Sequence, residues 1–178
     1  MCAAPVTPDA PSTTVVPSAA PAPVLRPAKY LVCVDDTDAS AVAVRFACMK
    51  AHKRGGQVLA LHVVEPADFQ SLLAVADKMR EDLHQHAQEV LDKIVASVAD
   101  LEGLALETLI REGKVEEEIL TVATSDPDIN MLVFGVEPDP ARRGRRAAKL
   151  IAQLGDDLLV PMMLVPGNLT NQQIRELS

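Results

Sequence analysis

The feature that most constrains this chain is an alternation. Short aliphatic runs of four to seven residues are separated by longer stretches whose apolar residues recur every three or four positions. The runs are Tyr30–Val34, Val58–Val64, Leu104–Ile110, Met131–Phe134 and Met162–Val165. Each is too short to be a helix of ordinary length and reads as a buried strand. Between them, Ala39, Val42, Phe46 and Met49 mark one helix, ended by Gly55-Gly56. Leu72, Ala76, Met79, Leu83, Ala87, Val90, Ile94, Val98 and Leu101 mark a long second one. Val115, Ile119 and Val122 mark a third, and Ala147, Leu150 (or Ile151), Leu154 and Leu158 a fourth, with Gly155 as a candidate break. Strands alternating with helices predict parallel pairing through right-handed crossovers, hence an α/β fold with an open, doubly wound, five-stranded parallel sheet and helices on both faces.

Composition agrees with strands covered on both sides. The chain is 48% hydrophobic, yet it has only three Phe, one Tyr and no Trp among 178 residues. So few aromatic rings exclude a stacking platform for single-stranded nucleic acid. A net charge of −8 argues against DNA as a partner. The basic residues are unevenly placed, however: Arg142, Arg143, Arg145, Arg146 and Lys149 are five of the 17 Lys and Arg.

Residues 1–28 are rich in Pro and Ala and read as a disordered tail, 29–167 as the α/β domain, and 168–178 as a polar C-terminal tail with a last turn near Gln172–Leu177. No apolar run is long enough to span a bilayer, and the first residues lack the charged start and apolar block of a leader. Cys2, Cys33 and Cys48 stand at no metal or redox spacing and read as inert thiols. Together these lead to an expected cytoplasmic location, with no membrane partner.

The candidate chemistry lies at the strand ends, where open α/β sheets bind their ligands. Asp35-Asp36-Thr37-Asp38 follows the first run, with Thr37 or Asp38 as helix cap. Those acids read as a solvated, capped turn rather than a metal site. His62, inside an apolar run, reads as a satisfied structural histidine. His84 and His86 stand two positions apart, about 200° around a helix, so they form no metal pair and read as surface side chains. Glu116, Glu117 and Glu118 suit the first turn of a helix because acids there oppose its dipole. No Ser/His/Asp or Cys/His arrangement emerges, so no catalytic residue and no enzyme activity is expected.

Five segments in order, CVDDTDAS at 33–40, LHVVEP at 61–66, REGKVEEEIL at 111–120, NMLVFG at 130–135 and VPMMLVP at 160–166, resemble the universal stress protein family over roughly residues 29–166. The resemblance implies strand order 3-2-1-4-5, a homodimer paired through the last strand (Met162 to Val165), and a role in stress adaptation. Some members of that family bind ATP or another adenine nucleotide, such as AMP, between the first and fourth strands. The matching positions here are Asp35, Val63 and Gly135.

The family's phosphate pattern, Gly-x2-Gly-x9-Gly-Ser/Thr, laid from Gly135, falls on Pro138, Ala148 and Lys149. Proline has no N–H to offer a phosphate, and alanine resists the positive φ open to glycine. Two hydrogen bonds to a charged group, each worth roughly 1.5–3 kcal/mol, are thereby removed. The expectation is therefore a non-enzymatic dimeric regulator or interaction module with a degraded ATP loop and no cofactor. One alternative is nucleotide binding in which Arg143, Arg146 and Lys149 clamp phosphate through their side chains. The other is a basic loop that docks RNA or an acidic partner.

Overall fold

A computed structural model describes residues 27–65, 73–101, 103–139, 152–155 and 157–178. Residues 1–26 of the expected N-terminal tail, the start of the fourth helix and the whole cluster from Arg142 to Lys149 lie outside the described residues.

The chain runs β1 (Lys29–Val34), α1 (Asp38–Arg54), β2 (Gln57–Val64), α2 (Leu73–Ser97), β3 (Ala105–Glu112), α3 (Val115–Ser125), β4 (Ile129–Val136), β5 (Met162–Pro166) and α4 (Asn171–Leu177). The five strands form one sheet of order β3-β2-β1-β4-β5, every described pair parallel. Strand order reverses between β1 and β4, and that reversal opens a crevice at their carboxyl ends.

The two-residue period of β1 divides the interior. Tyr30, Val32 and Val34 face a layer that includes Val44, Ala47 and Ala51 of α1, Val90, Leu91 and Ile94 of α2, and Ile174 of α4. Leu31 faces the opposite layer, with Leu59 and Leu61 of β2, Ile119 and Val122 of α3, Leu132 and Phe134 of β4, and Leu154. Helices therefore cover both faces, which is why the central strands β1, β2 and β4 are mostly aliphatic, whereas the edge strand β3 carries Glu107, Thr108, Arg111 and Glu112 and is largely exposed.

Caps and stops fall where local chemistry requires them. Thr37 caps α1 by accepting the Ser40 N–H. Gly55 ends that helix in the left-handed region at φ 65°, and its N–H returns to the Ala51 and His52 carbonyls.

Some boundaries differ from expectation. β3 runs on past the aliphatic run ending at Ile110, through Arg111 and Glu112, which pair in register with Val63 and Val64. β4 extends to Val136, so Gly135 lies inside the strand and not beyond it. The last turn expected near Gln172–Leu177 is helix α4, Asn171–Leu177. Thr170 and Gln173 form a reciprocal capping box that starts α4, and Ile174 is buried in the core. Lys53 of α1 donates to the Arg175 and Ser178 carbonyls at the far end of α4.

Candidate functional site

The site grows out of the turn after β1. Asp35 is the first residue past the strand, and its Oδ1 accepts from Ser40 Oγ at 2.6 Å, Thr37 Oγ1 at 2.5 Å and the Thr37 N–H at 3.0 Å. Ser40 Oγ in turn accepts the Asp35 N–H at 3.0 Å. Ser40 is the buried polar side chain of the described core, and these reciprocal bonds satisfy it. Loss of water around the Asp35 carboxyl pushes its pKa up. The hydrogen bonds from Ser40 and Thr37, with the charge of His62, outweigh that and hold it below its ordinary value of 3.8. The carboxylate stays ionised and fixed in place.

Gly135 enters from β4. A Cβ built on it would lie 2.3 Å from the Ala39 carbonyl oxygen and 2.8 Å from the Ser40 nitrogen. The first turn of α1 thus rests directly on the β4 backbone, and only glycine leaves room for it. Helix packing alone accounts for this residue. Two residues past the end of β4 stands Pro138, a described position that has no N–H to offer.

The second wall comes from the end of β2. Val34 pairs in register with His62, which places the imidazole beside the acidic turn that follows β1. His62 is partly buried, and its Nδ1 is shielded from solvent with no hydrogen-bond partner among the described residues. The expectation of a satisfied histidine holds in part: the imidazole has a backbone hydrogen bond with Val34, while Nδ1 has no described partner. The strand register sets the ring within the sheet, and no described donor or acceptor reaches Nδ1. Burial pushes its pKa below the ordinary 6.5; Asp36 pulls it back up and His86 presses it down again. The imidazole is neutral at physiological pH. Val63 follows it in the strand, and Glu65 stands at the strand's end.

Helix α2 supplies a residue that sequence reasoning left at the surface. His86 Nε2 lies 2.8 Å from Asp36 Oδ2, joining α2 to the β1–α1 turn across the rim. His84, 200° around the helix, goes instead to Glu112 of β3 at 3.4 Å. The divergence of the two histidines was legible from their spacing; the partner of His86 was not, because it depends on how α2 lies against the sheet.

These walls enclose a cleft of about 560 Å³, within the range of small-molecule sites. Asp35, Val63 and Gly135 all line it, along with Asp36, Ser40, His62, His86, Glu116 and Gln153. The other three residues singled out, Arg143, Arg146 and Lys149, lie outside the described residues. Among the described residues no His, Cys, Asp or Glu cluster is placed to hold a metal ion. Burial raises the Cys33 thiol far above its usual range and Cys48 to about 12, so both are unreactive. No described helix is long and apolar enough to cross a membrane.

Comparison with known proteins adds the following. A family model described as "Universal stress protein family" matches residues 28–159. Among curated protein sequences nothing matches the chain. Solved structures do. The universal stress protein UspA of Lactobacillus plantarum superposes with a TM-score of 0.65 at 20% identity, covering 79% of this chain and 99% of that one. A universal stress protein from Archaeoglobus fulgidus, solved in complex with dAMP, gives 0.56 at 19% identity, covering 77% and 96%. One from Arabidopsis thaliana, solved with AMP bound, gives 0.56 at 17% identity, covering 79% and 92%. Likeness at these identities is a statement about the fold.

Proposed function

Because the chain belongs to the universal stress protein family, we propose that it is a non-enzymatic stress-response regulator that acts as a homodimer. In this reading its cleft takes the nucleoside end of an adenine nucleotide, without the family's backbone cradle for the phosphates. The observation that carries the reading is the unequal survival of the cleft's two ends. Asp35 and Val63 converge on a cavity of suitable size, while the one matched glycine is explained by the approach of α1 and the next position is Pro138.

The loss of two phosphate hydrogen bonds lowers affinity for ATP by roughly two to four orders of magnitude. Isothermal titration with ATP and Mg²⁺ tests this. No micromolar affinity is expected, and finding one overturns the reading.

A second reading is favoured by the convergence of Asp35, Val63 and Gly135 on one cleft. Here the arginines replace the missing backbone donors and bind phosphate. Under it, Arg143→Ala with Arg146→Ala abolishes nucleotide affinity; unchanged affinity rejects it.

The dimer is supported by the free edge of β5. Leu164 is half exposed there, and Leu159 just before the strand is 89% exposed, an apolar edge of the kind that pairs with another chain. Native mass spectrometry reads the oligomer and any bound nucleotide together. Leu164→Lys is expected to yield the monomer.

A further inference from the structure

Two properties of the cleft are left over from its nucleotide reading. The first is charge. The described lining residues include Asp35, Asp36, Glu65 and Glu116 with the two histidines, and no Lys or Arg. A wall of this kind repels an anion, although AMP and dAMP, the ligands named for two of the superposed proteins, are anions. The second is the state of His62, the lining side chain whose shielded ring nitrogen has no described partner. A backbone hydrogen bond with Val34 favours the protonated ring, and no described partner holds Nδ1, so the charge of the ring can respond to what enters the cleft.

We propose that His62 is the specificity-determining residue of the cleft. As a neutral imidazole it leaves the described wall acidic and disfavours anionic ligands; as an imidazolium it admits them. The proposal rests on the reading that the cleft binds a nucleoside.

The position of the residue suits the role. It sits one residue before Val63 in β2, in register with Val34 and beside the Asp35-Asp36 turn. The charged groups around it come from several neighbouring elements; on β3, which pairs beside it, Arg111 engages Glu118 and Glu112 engages Arg80 and His84. Asp35 and Asp36 follow β1, Glu65 ends β2, Glu116 opens α3, and His86 reaches in from α2, its Nε2 2.8 Å from Asp36. His86 is exposed and its Nε2 already engages Asp36 across the rim, where solvent screens the pair. His62 is the titrating group set into the wall itself. Its burial keeps it neutral near pH 7, and the surrounding carboxylates favour its protonation as pH falls.

The test uses two probes of constant charge, adenosine, which is neutral, and 3′,5′-cyclic AMP, a monoanion, each titrated calorimetrically at about pH 8 and about pH 5. At the higher pH adenosine binds more tightly than cyclic AMP. At the lower pH the gap narrows by about fivefold or more, the order expected for one added charge near the ligand in a partly solvated site. His62→Gln abolishes the narrowing and His86→Gln retains it. If the narrowing persists in His62→Gln, or disappears in His86→Gln, the role assigned to His62 is wrong.

The wild-type chain supplies an independent check that does not depend on how the variants fold. The His62 ring proton, followed by NMR, titrates at higher pH with cyclic AMP bound than with adenosine bound, and equal midpoints overturn the proposal. If neither probe binds at either pH, the cleft is not a nucleoside site, and both the proposed function and this inference fall. Tight binding of ATP and Mg²⁺ with an unchanged His62 titration defeats the functional reading by a separate route, through the basic loop.

Discussion

The two walls of the cleft are made from the same kind of element, the carboxyl end of a parallel strand, yet their polar groups are occupied differently. On the β1 side Asp35 Oδ1 receives three hydrogen bonds, Ser40 is bonded in both directions, and the first turn of α1 lies against Gly135 with no space between them. On the β2 side His62 holds a ring nitrogen without a described partner, and the nearby His86–Asp36 pair is exposed. A side chain whose hydrogen bonds are all made within the protein can position a ligand by shape and charge. One with capacity left over can change state when a ligand arrives. The first wall is scaffold and the second is where recognition can vary.

Substitution tests that division most severely at Gly135. In Gly135→Ala the new methyl group meets the Ala39 carbonyl and the Ser40 nitrogen, backbone atoms that cannot swing away. A loss of about 2–3 kcal/mol is expected, read as a melting temperature lower by roughly 4–12 °C. An unchanged melting temperature would show that the wall is not tightly packed. Ser40→Ala comes next. It removes the hydroxyl that bonds Asp35 twice and leaves the Asp35 N–H without that acceptor, costing about 1–2 kcal/mol. The variant is also expected to unfold with a smaller dependence on pH below about 4. Asp35 has a lowered pKa in the fold, so its contribution is present above the ordinary value of 3.8 and is lost as pH falls through the folded one. Denaturant midpoints measured at several acidic pH values check both effects.

How much of this could be read from residues alone follows the same division. Aliphatic runs located every strand, most plainly β1, β2 and β4, whose burial on both faces leaves a clear pattern. The parallel sheet could be inferred from the alternation, whereas strand order came from resemblance. The ends were misjudged where hydrogen bonding outlasts hydrophobicity. β3 is an edge strand, so Arg111 and Glu112 continue its ladder with β2 while their side chains reach Glu118, and Arg80 and His84. Helix α4 was expected as a last turn near Gln172–Leu177, and its start carried a further signal, Thr170 and Gln173 spaced as a capping box ahead of Ile174. Asp35, Val63 and Gly135 were legible as a set because strand ends converge at the reversal of strand order. His62 and His86 were not, since each owes its place to the register of one element against another, which spacing within a segment does not encode.

On the β2 wall the expected effects are smaller and depend on pH. His62 is held neutral by the fold, with a pKa below its ordinary 6.5. The unfolded chain therefore binds more protons than the native one as pH drops through 6.5, and stability declines in that direction. Replacing His62 with Gln should flatten the decline between about pH 7.5 and 5, and an equally steep decline in the variant would show that another group causes it. The weakest effect belongs to His86→Ala. Its side chain is 51% exposed and that of Asp36 62%, so the 2.8 Å pair is screened by solvent and worth about 0–1 kcal/mol, with a melting shift of no more than roughly 4 °C. A large loss of stability would make His86–Asp36 part of the scaffold and move the boundary between the two walls. A small loss leaves α2 held by Ala87, Val90, Leu91 and Ile94 in the core, and the turn held by the Asp35–Ser40 bonds.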